Sequence, residues 1–177
     1  PDAKLPRLTR GHARPNLNAL QQRHLFWLGL FAFLALFAEG ALMDWSAIYM
    51  VTAAGASQST GAFGFAVFSG TMAIGRTIGD VLNTALGPAR FMRIGVIFSA
   101  CSLALILVFP FVPVIFVALV FTALGVANAV PTMFAAAGRI GGAAAAAAMA
   151  RVATFGYTGL LIGPPFVGFV SQMTSLR

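Results

Sequence analysis

Residues 25 to 38 of this chain, LFWLGLFAFLALFA, hold no charge, and the run closes on two acids, Glu39 and Asp44. An apolar run of this kind, continued to about 20 residues, crosses a bilayer core as one helix. An ionisable group in hydrocarbon costs roughly 3 kcal/mol or more, so an acid inside such a helix calls for a function. At about 1.5 Å per residue, Glu39 lies roughly 21 Å from Leu25, a little beyond the midplane of a core about 30 Å thick. Asp44 then falls near the far boundary, beside Trp45 and Tyr49, which suit an interfacial aromatic belt. The two acids are therefore unequal: Asp44 reaches interfacial water and Glu39 does not. They are also about 140° apart around the helix, so both cannot face one narrow site.

Composition agrees with a membrane. The chain is 59% hydrophobic and 8% charged, whereas soluble domains carry about a quarter charged residues. The net charge of +7 does not read as nucleic-acid binding, because the basic residues sit between apolar runs rather than on one folded face. The single cysteine, Cys101, rules out a disulfide framework, and no cysteine–histidine cluster suggests a metal or other cofactor. The chain begins at Pro1 without a signal-peptide layout, and a fragment of a longer protein is expected.

Residues 1–23 read as a solvated basic linker, loosely held before residue 20, with Lys4, Arg7, Arg10, Arg14 and Arg23 against Asp2 and with Pro1, Pro6 and Pro15 breaking any helix. A helix bundle, residues 24–177, follows. Its second apolar run, 61–82, places Gly61, Gly64, Thr71, Gly75 and Gly79 near one face, and Gly75 and Gly79 form a GxxxG spacing that admits a neighbouring backbone. A third run covers 94–110. A fourth, 113–137, is interrupted by Asn128 and Pro131; Pro131 has no N–H for the carbonyl of Ala127, so a bend is expected there. An alanine-rich connection leads to a fifth run, 152–171, in which Pro164, Pro165 and several glycines imply a kinked, closely packed centre. With five spans, ten of the 11 Lys and Arg residues fall on the side of the linker, which the positive-inside rule makes cytoplasmic.

Several stretches resemble a known family. EGALMDWSAIYM at 39–50, GRTIGDVLNTALGPAR at 75–90, GVANAVPTMFAAAGR at 125–139 and FGYTGLLIGPPFVGF at 155–169 are similar, in order, to the C-terminal half of major facilitator superfamily transporters, with wording nearest the fucose-permease-related branch. The resemblance implies an all-α membrane protein whose five helices correspond to spans seven to eleven of a twelve-span fold, without the last span. It implies a symporter in a bacterial inner membrane, with a small-molecule substrate, a sugar in that branch, a proton as coupling ion, and the N-terminal half of the same transporter and the lipid bilayer as partners. Val81 departs from the family's cytoplasmic loop signature, where an Arg is frequent, and Arg90 and Arg93 are spread out rather than paired.

In the superfamily the first and fourth helices of each half line the central cavity, which here implies the helices of Glu39 and Asn128. Both are candidates for substrate binding or proton coupling, Glu39 as a titrating group or as a protonated core acid, Asn128 as a ligand or as interhelical glue. Asp44 and Tyr157 are further candidates, Asp44 with an interfacial alternative and Tyr157 with a packing one. Arg76 and Asp80 are spaced to meet on one helix face, and with Arg90 and Arg139 they form either a cytoplasmic gate or plain topological charge. No HExxH, GxSxG or Cys/His pair is present, and His12 and His24 lie in or beside the linker, so no enzyme is expected. The alternative to a transporter is a non-transporting scaffold or receptor-like membrane protein.

Overall fold

The computed structural model describes residues 17–174. The linker's Lys4, Arg7, Arg10 and Arg14, and Arg177 at the other end, lie outside the described residues. The described residues form six α-helices: α1 (Ala19–Thr52), α2 (Gln58–Leu86), α3 (Pro88–Val108), α4 (Val112–Val126), α5 (Ala129–Gly141) and α6 (Ala145–Met173), with a short 3₁₀ turn (Gly142–Ala144) before α6. No strand occurs among the described residues. Among the described residues, three stretches are long and apolar enough to cross a membrane: Ala19–Thr52, Pro88–Val108, and Val112–Met173, which contains α4, α5 and α6.

Helix α1 starts inside the expected linker. The Asn18 side chain accepts the N–H of Gln21, and the Gln21 side chain accepts the N–H of Asn18, a reciprocal cap that satisfies two amide donors at the helix start. At the other end of α2 the connection to α3 is Gly87 alone, with φ of 78°, a left-handed value that favours glycine, and Pro88 follows as the first residue of α3 with its φ already helical. Arg90 and Arg93 consequently lie in the first turns of α3 rather than in a loop.

Helix α1 is the centre of the fold, packing along α6 and also touching α2, α4 and α5, while α3 pairs with α4. The α1–α6 seam is close because glycines of α6 lie directly on the α1 backbone: a β-carbon at Gly159 or Gly163 would collide with the carbonyl oxygens of Phe33 and Phe37. Helix α6 continues through Pro164 and Pro165 as one element. The Leu160 carbonyl, which Pro164 cannot serve, instead faces Gly40 of α1, where a β-carbon would stand 2.9 Å away.

The expected fourth span is two helices. Helix α4 ends at Val126, α5 begins at Ala129, and Asn128 between them has left helical geometry, with ψ of 5°. Two apolar clusters flank this break. One gathers Met50, Phe68, Met72, Leu119, Ala123 and Ala127; the other gathers Leu25, Ala32, Ala129, Met133, Ala148 and Val152. The break therefore lies at the seam between them, and so does the part of α1 that carries Glu39.

Candidate functional site

The polar centre of the bundle is built from three helices around that seam. Glu39 projects from α1 and is 7% exposed. Arg76 reaches it from α2, with Nη2 2.9 Å from Oε1. This is the one ion pair among the described residues. The same Nη2 lies 3.3 Å from the Met72 sulfur, one turn back along α2. The Arg76 Nε–H donates to the carbonyl of Ala127 at 3.3 Å. That carbonyl is the one Pro131 leaves without an intrahelical donor, so the guanidinium substitutes for the missing amide and ties α2 to the end of α4.

Asn128 makes the second tie. Its Nδ2 donates to the Gly75 carbonyl at 2.7 Å, and its amide lies over Gly79, where any β-carbon would overlap it. The GxxxG spacing thus admits Ala127 at Gly75 and the Asn128 amide at Gly79. Buried polar groups need partners, and Asn128 finds its partner in protein backbone.

The structure brings together Glu39, Arg76 and, through the Ala127 carbonyl, the neighbourhood of Asn128. It leaves the other candidates apart. Asp44 is exposed and makes no hydrogen bond or ion pair among the described residues, and the same holds for the side chains of Asp80, Arg90, Arg139 and Tyr157. Arg76 and Asp80, although one turn apart, do not pair; Arg76 turns to Glu39. Trp45 and Tyr49 do more than line an interface: the Trp45 indole N–H donates to the Pro164 carbonyl at 3.0 Å, and the Tyr49 hydroxyl to the Ile106 carbonyl at 3.2 Å, fastening α1 to α6 and α3. Beside them lies an apolar cavity of about 330 Å³, lined by Leu42, Trp45, Tyr49, Leu103, Ile106 and Leu119, with no charged residue in its wall.

Sequence reasoning missed Arg76 as the partner of Glu39. The usable signal is electrostatic: a buried carboxylate needs a cation or a proton, and Arg76 is the basic residue that lies inside an apolar run, 61–82, rather than beside one. Its distance from the end of α2, ten residues or about 15 Å, also separates it from the basic residues flanking the helices.

No protein-family model matches the chain, and no solved structure matches it. Curated relatives do. An uncharacterized MFS-type transporter of Yersinia pestis is 32% identical over 172 residues, covering 96% of this chain and 45% of the relative. The membrane protein MosC of Rhizobium meliloti is 26% identical over 166 residues, covering 94% of this chain and 41% of MosC. The uncharacterized transporter y4wD of Sinorhizobium fredii is 31% identical over 153 residues, covering 86% of this chain and 41% of the relative. Relatives so named, together with three stretches long and apolar enough to cross a membrane, identify an integral membrane protein. The chain spans less than half the length of the curated relatives it matches.

Proposed function

We propose that this chain is the C-terminal half of a major facilitator transporter, and that the Glu39–Arg76 pair couples a proton to the movement of a small solute by alternating access. The observation that carries the reading is an ion pair at the depth where broken helices meet. An acid and a base at such depth are costly to keep in a scaffold, and a discontinuous helix beside them is the usual construction of a midplane transport site. Helices α1, α2, α3, the α4–α5 pair and α6 are then five crossings, with the linker cytoplasmic in a bacterial inner membrane. The N-terminal half of the same protein closes the cavity, so this chain alone does not transport. Asn128 positions the break, and Asp80, Arg90 and Arg139 belong to the cytoplasmic face, where they meet that other half when the cavity closes inward. A sugar is the substrate class favoured by the wording of the resemblance.

The test uses the full-length protein in liposomes. Glu39→Gln keeps the shape and hydrogen-bonding capacity of the side chain but cannot titrate. It should retain exchange of solute at equal concentrations and lose accumulation driven by a pH gradient. Accumulation that survives in Glu39→Gln makes Glu39 structural and moves the proton site elsewhere.

A further inference from the structure

Arg76 is only partly used by the fold. A guanidinium offers five N–H donors in a planar fork. Here Nε serves the Ala127 carbonyl and Nη2 serves Glu39 and the Met72 sulfur, while Nη1 has no hydrogen-bond partner among the described residues. The side chain of Arg76 is 50% exposed, against 10% for Glu39. A guanidinium half open at this depth does not face hydrocarbon, where it would be very costly; on the transport reading its open side faces the cavity shared with the N-terminal half. Nη1 is the unused nitrogen; when Glu39 releases Nη2, Nη1 and Nη2 together form the edge that receives a planar carboxylate through two parallel hydrogen bonds.

Charge decides what can bind there. With Glu39 ionised the pair is neutral, and an anion arriving at Arg76 would add an uncompensated negative charge in a low-dielectric site. A proton placed on Glu39 Oε1 from water on the open side removes the carboxylate's charge and leaves the Arg76 cation without a counterion. One singly charged anion then restores neutrality. A phosphate monoester, at about −1.5 to −2 near pH 7, would overshoot. A solute carboxylate resembles in shape and charge the Glu39 group whose place at Arg76 it takes.

We propose that the solute carries a single carboxylate, that this group binds Arg76, and that it enters together with one proton held by Glu39. The proposal rests on the transport reading above. The titratable and charged side chains of the elements packed against α1 are Arg76 and Asp80 on α2, Arg139 on α5, and Arg151 and Tyr157 on α6, with none on α4. Of these, Arg76 alone contacts Glu39. On α1 itself Asp44 lies five residues on and turned away, and Arg23, His24 and Tyr49 lie further off.

The experiment compares matched pairs on the purified full-length protein: galacturonate with galactose, and benzoate with benzamide. Binding is read from the shift of the thermal unfolding midpoint at a series of concentrations and pH values. In the wild-type protein a carboxylate should bind at least about tenfold tighter than its neutral partner. Where Glu39 is ionised in the unliganded protein, its apparent affinity should fall about tenfold per unit rise in pH, because one proton enters with it. Arg76→Gln should abolish the preference for the carboxylate; Arg76→Lys, which keeps the charge but not the fork, should retain part of it. Glu39→Gln should keep carboxylate binding and lose its pH dependence. Equal binding of charged and neutral partners in the wild type, or no binding of either carboxylate, overturns the proposal. Galactose accumulated under a pH gradient, with Glu39→Gln losing that accumulation, also overturns it while leaving the proton-coupled reading intact. Carboxylate binding of the stated pH dependence without any accumulation of that carboxylate under a pH gradient would keep the carboxylate site at Arg76 but overturn the transport reading and, with it, coupled entry.

Discussion

Arg76 occupies the place of an amide that Pro131 does not have. The Nε of Arg76 donates to the Ala127 carbonyl at 3.3 Å, and residue 131 is where an uninterrupted helix would have supplied that donor. The break in the fourth span is therefore stabilised by the same side chain that holds Glu39. Pro131→Ala returns an N–H to position 131, lets the helical bond to Ala127 form, and takes the acceptor from Arg76. Pro131 lies in the first turn of α5, where proline is tolerated, so the regained hydrogen bond is offset by the freedom the unfolded chain recovers on losing a proline, and stability should change by less than about 1 kcal/mol. Transport should fall even so. A variant with a nearly unchanged unfolding midpoint and lowered uptake is the expected result, and unchanged uptake would show that the break is not needed.

The Glu39–Arg76 contact can be weighed by a double-mutant cycle. Glu39→Gln leaves Arg76 without its counterion, whereas Glu39→Gln with Arg76→Gln removes both charges. The double variant should be more stable than the sum of the single changes allows, with a coupling of about 0.5–3 kcal/mol. The exposure of Arg76 places the value toward the lower end, since solvent weakens such pairs. Asp80→Asn combined with Arg76→Gln serves as the control and should be additive within about 0.5 kcal/mol, because those two side chains share no contact. Urea or thermal unfolding of all five variants and the wild type measures both cycles.

The asymmetry of this result follows from what a sequence displays. Helical spacing is local, so Arg76 and Asp80 four residues apart can be nominated as partners, while Glu39 and Arg76, separated by 37 positions, cannot be joined by any periodicity. The need for a partner was visible in the apolar run around Glu39; the identity of that partner depended on how α1 and α2 pack. Pro131 likewise announces a break, but the structure centres it at Asn128, next to the Ala127 carbonyl that loses its donor and would meet the proline ring in an uninterrupted helix. The glycines of α6 signal close packing without saying which backbone they meet, and that is decided by the carbonyls of Phe33 and Phe37. Trp45 and Tyr49 fit an interfacial belt by type and depth, yet their polar atoms bond to Pro164 and Ile106, contacts that exist only once three helices are assembled.

Two glycines of α2 should behave in opposite ways. At Gly79 a β-carbon overlaps the Asn128 amide, so Gly79→Ala must displace that side chain or push α4 and α5 away from α2. A cost of about 1–3 kcal/mol is expected for overpacking of this kind. At Gly70 a β-carbon meets nothing within 4 Å, and Gly70→Ala should stabilise by up to about 1 kcal/mol through helix propensity alone. Unfolding midpoints of the two variants in the same detergent give the comparison. Equal shifts would mean that the Asn128 contact is not closely packed in solution.

Asp80 tests the assignment of the cytoplasmic face. It is exposed on α2 with no ion-pair partner among the described residues, as are Arg90 on α3 and Arg139 on α5. If these groups serve only to orient the helices, loss of one carboxylate leaves the conformational balance where it was. If they meet the other half of the transporter when the cavity closes inward, Asp80→Asn removes an acid from a surface rich in arginine and weakens that closed state. The full-length protein with Cys101, which is exposed, and any cysteine of the other half replaced by Ser provides a background for single cysteines placed on each face. Asp80→Asn should raise the labelling rate of cysteines on the linker side by several-fold and lower it on the opposite side. A coupling of about 1–3 kcal/mol between the gate and the access states would produce a 5- to 150-fold shift in the equilibrium, which labelling rates resolve easily. Unchanged rates on both faces would return Asp80, Arg90 and Arg139 to the role of topological charge.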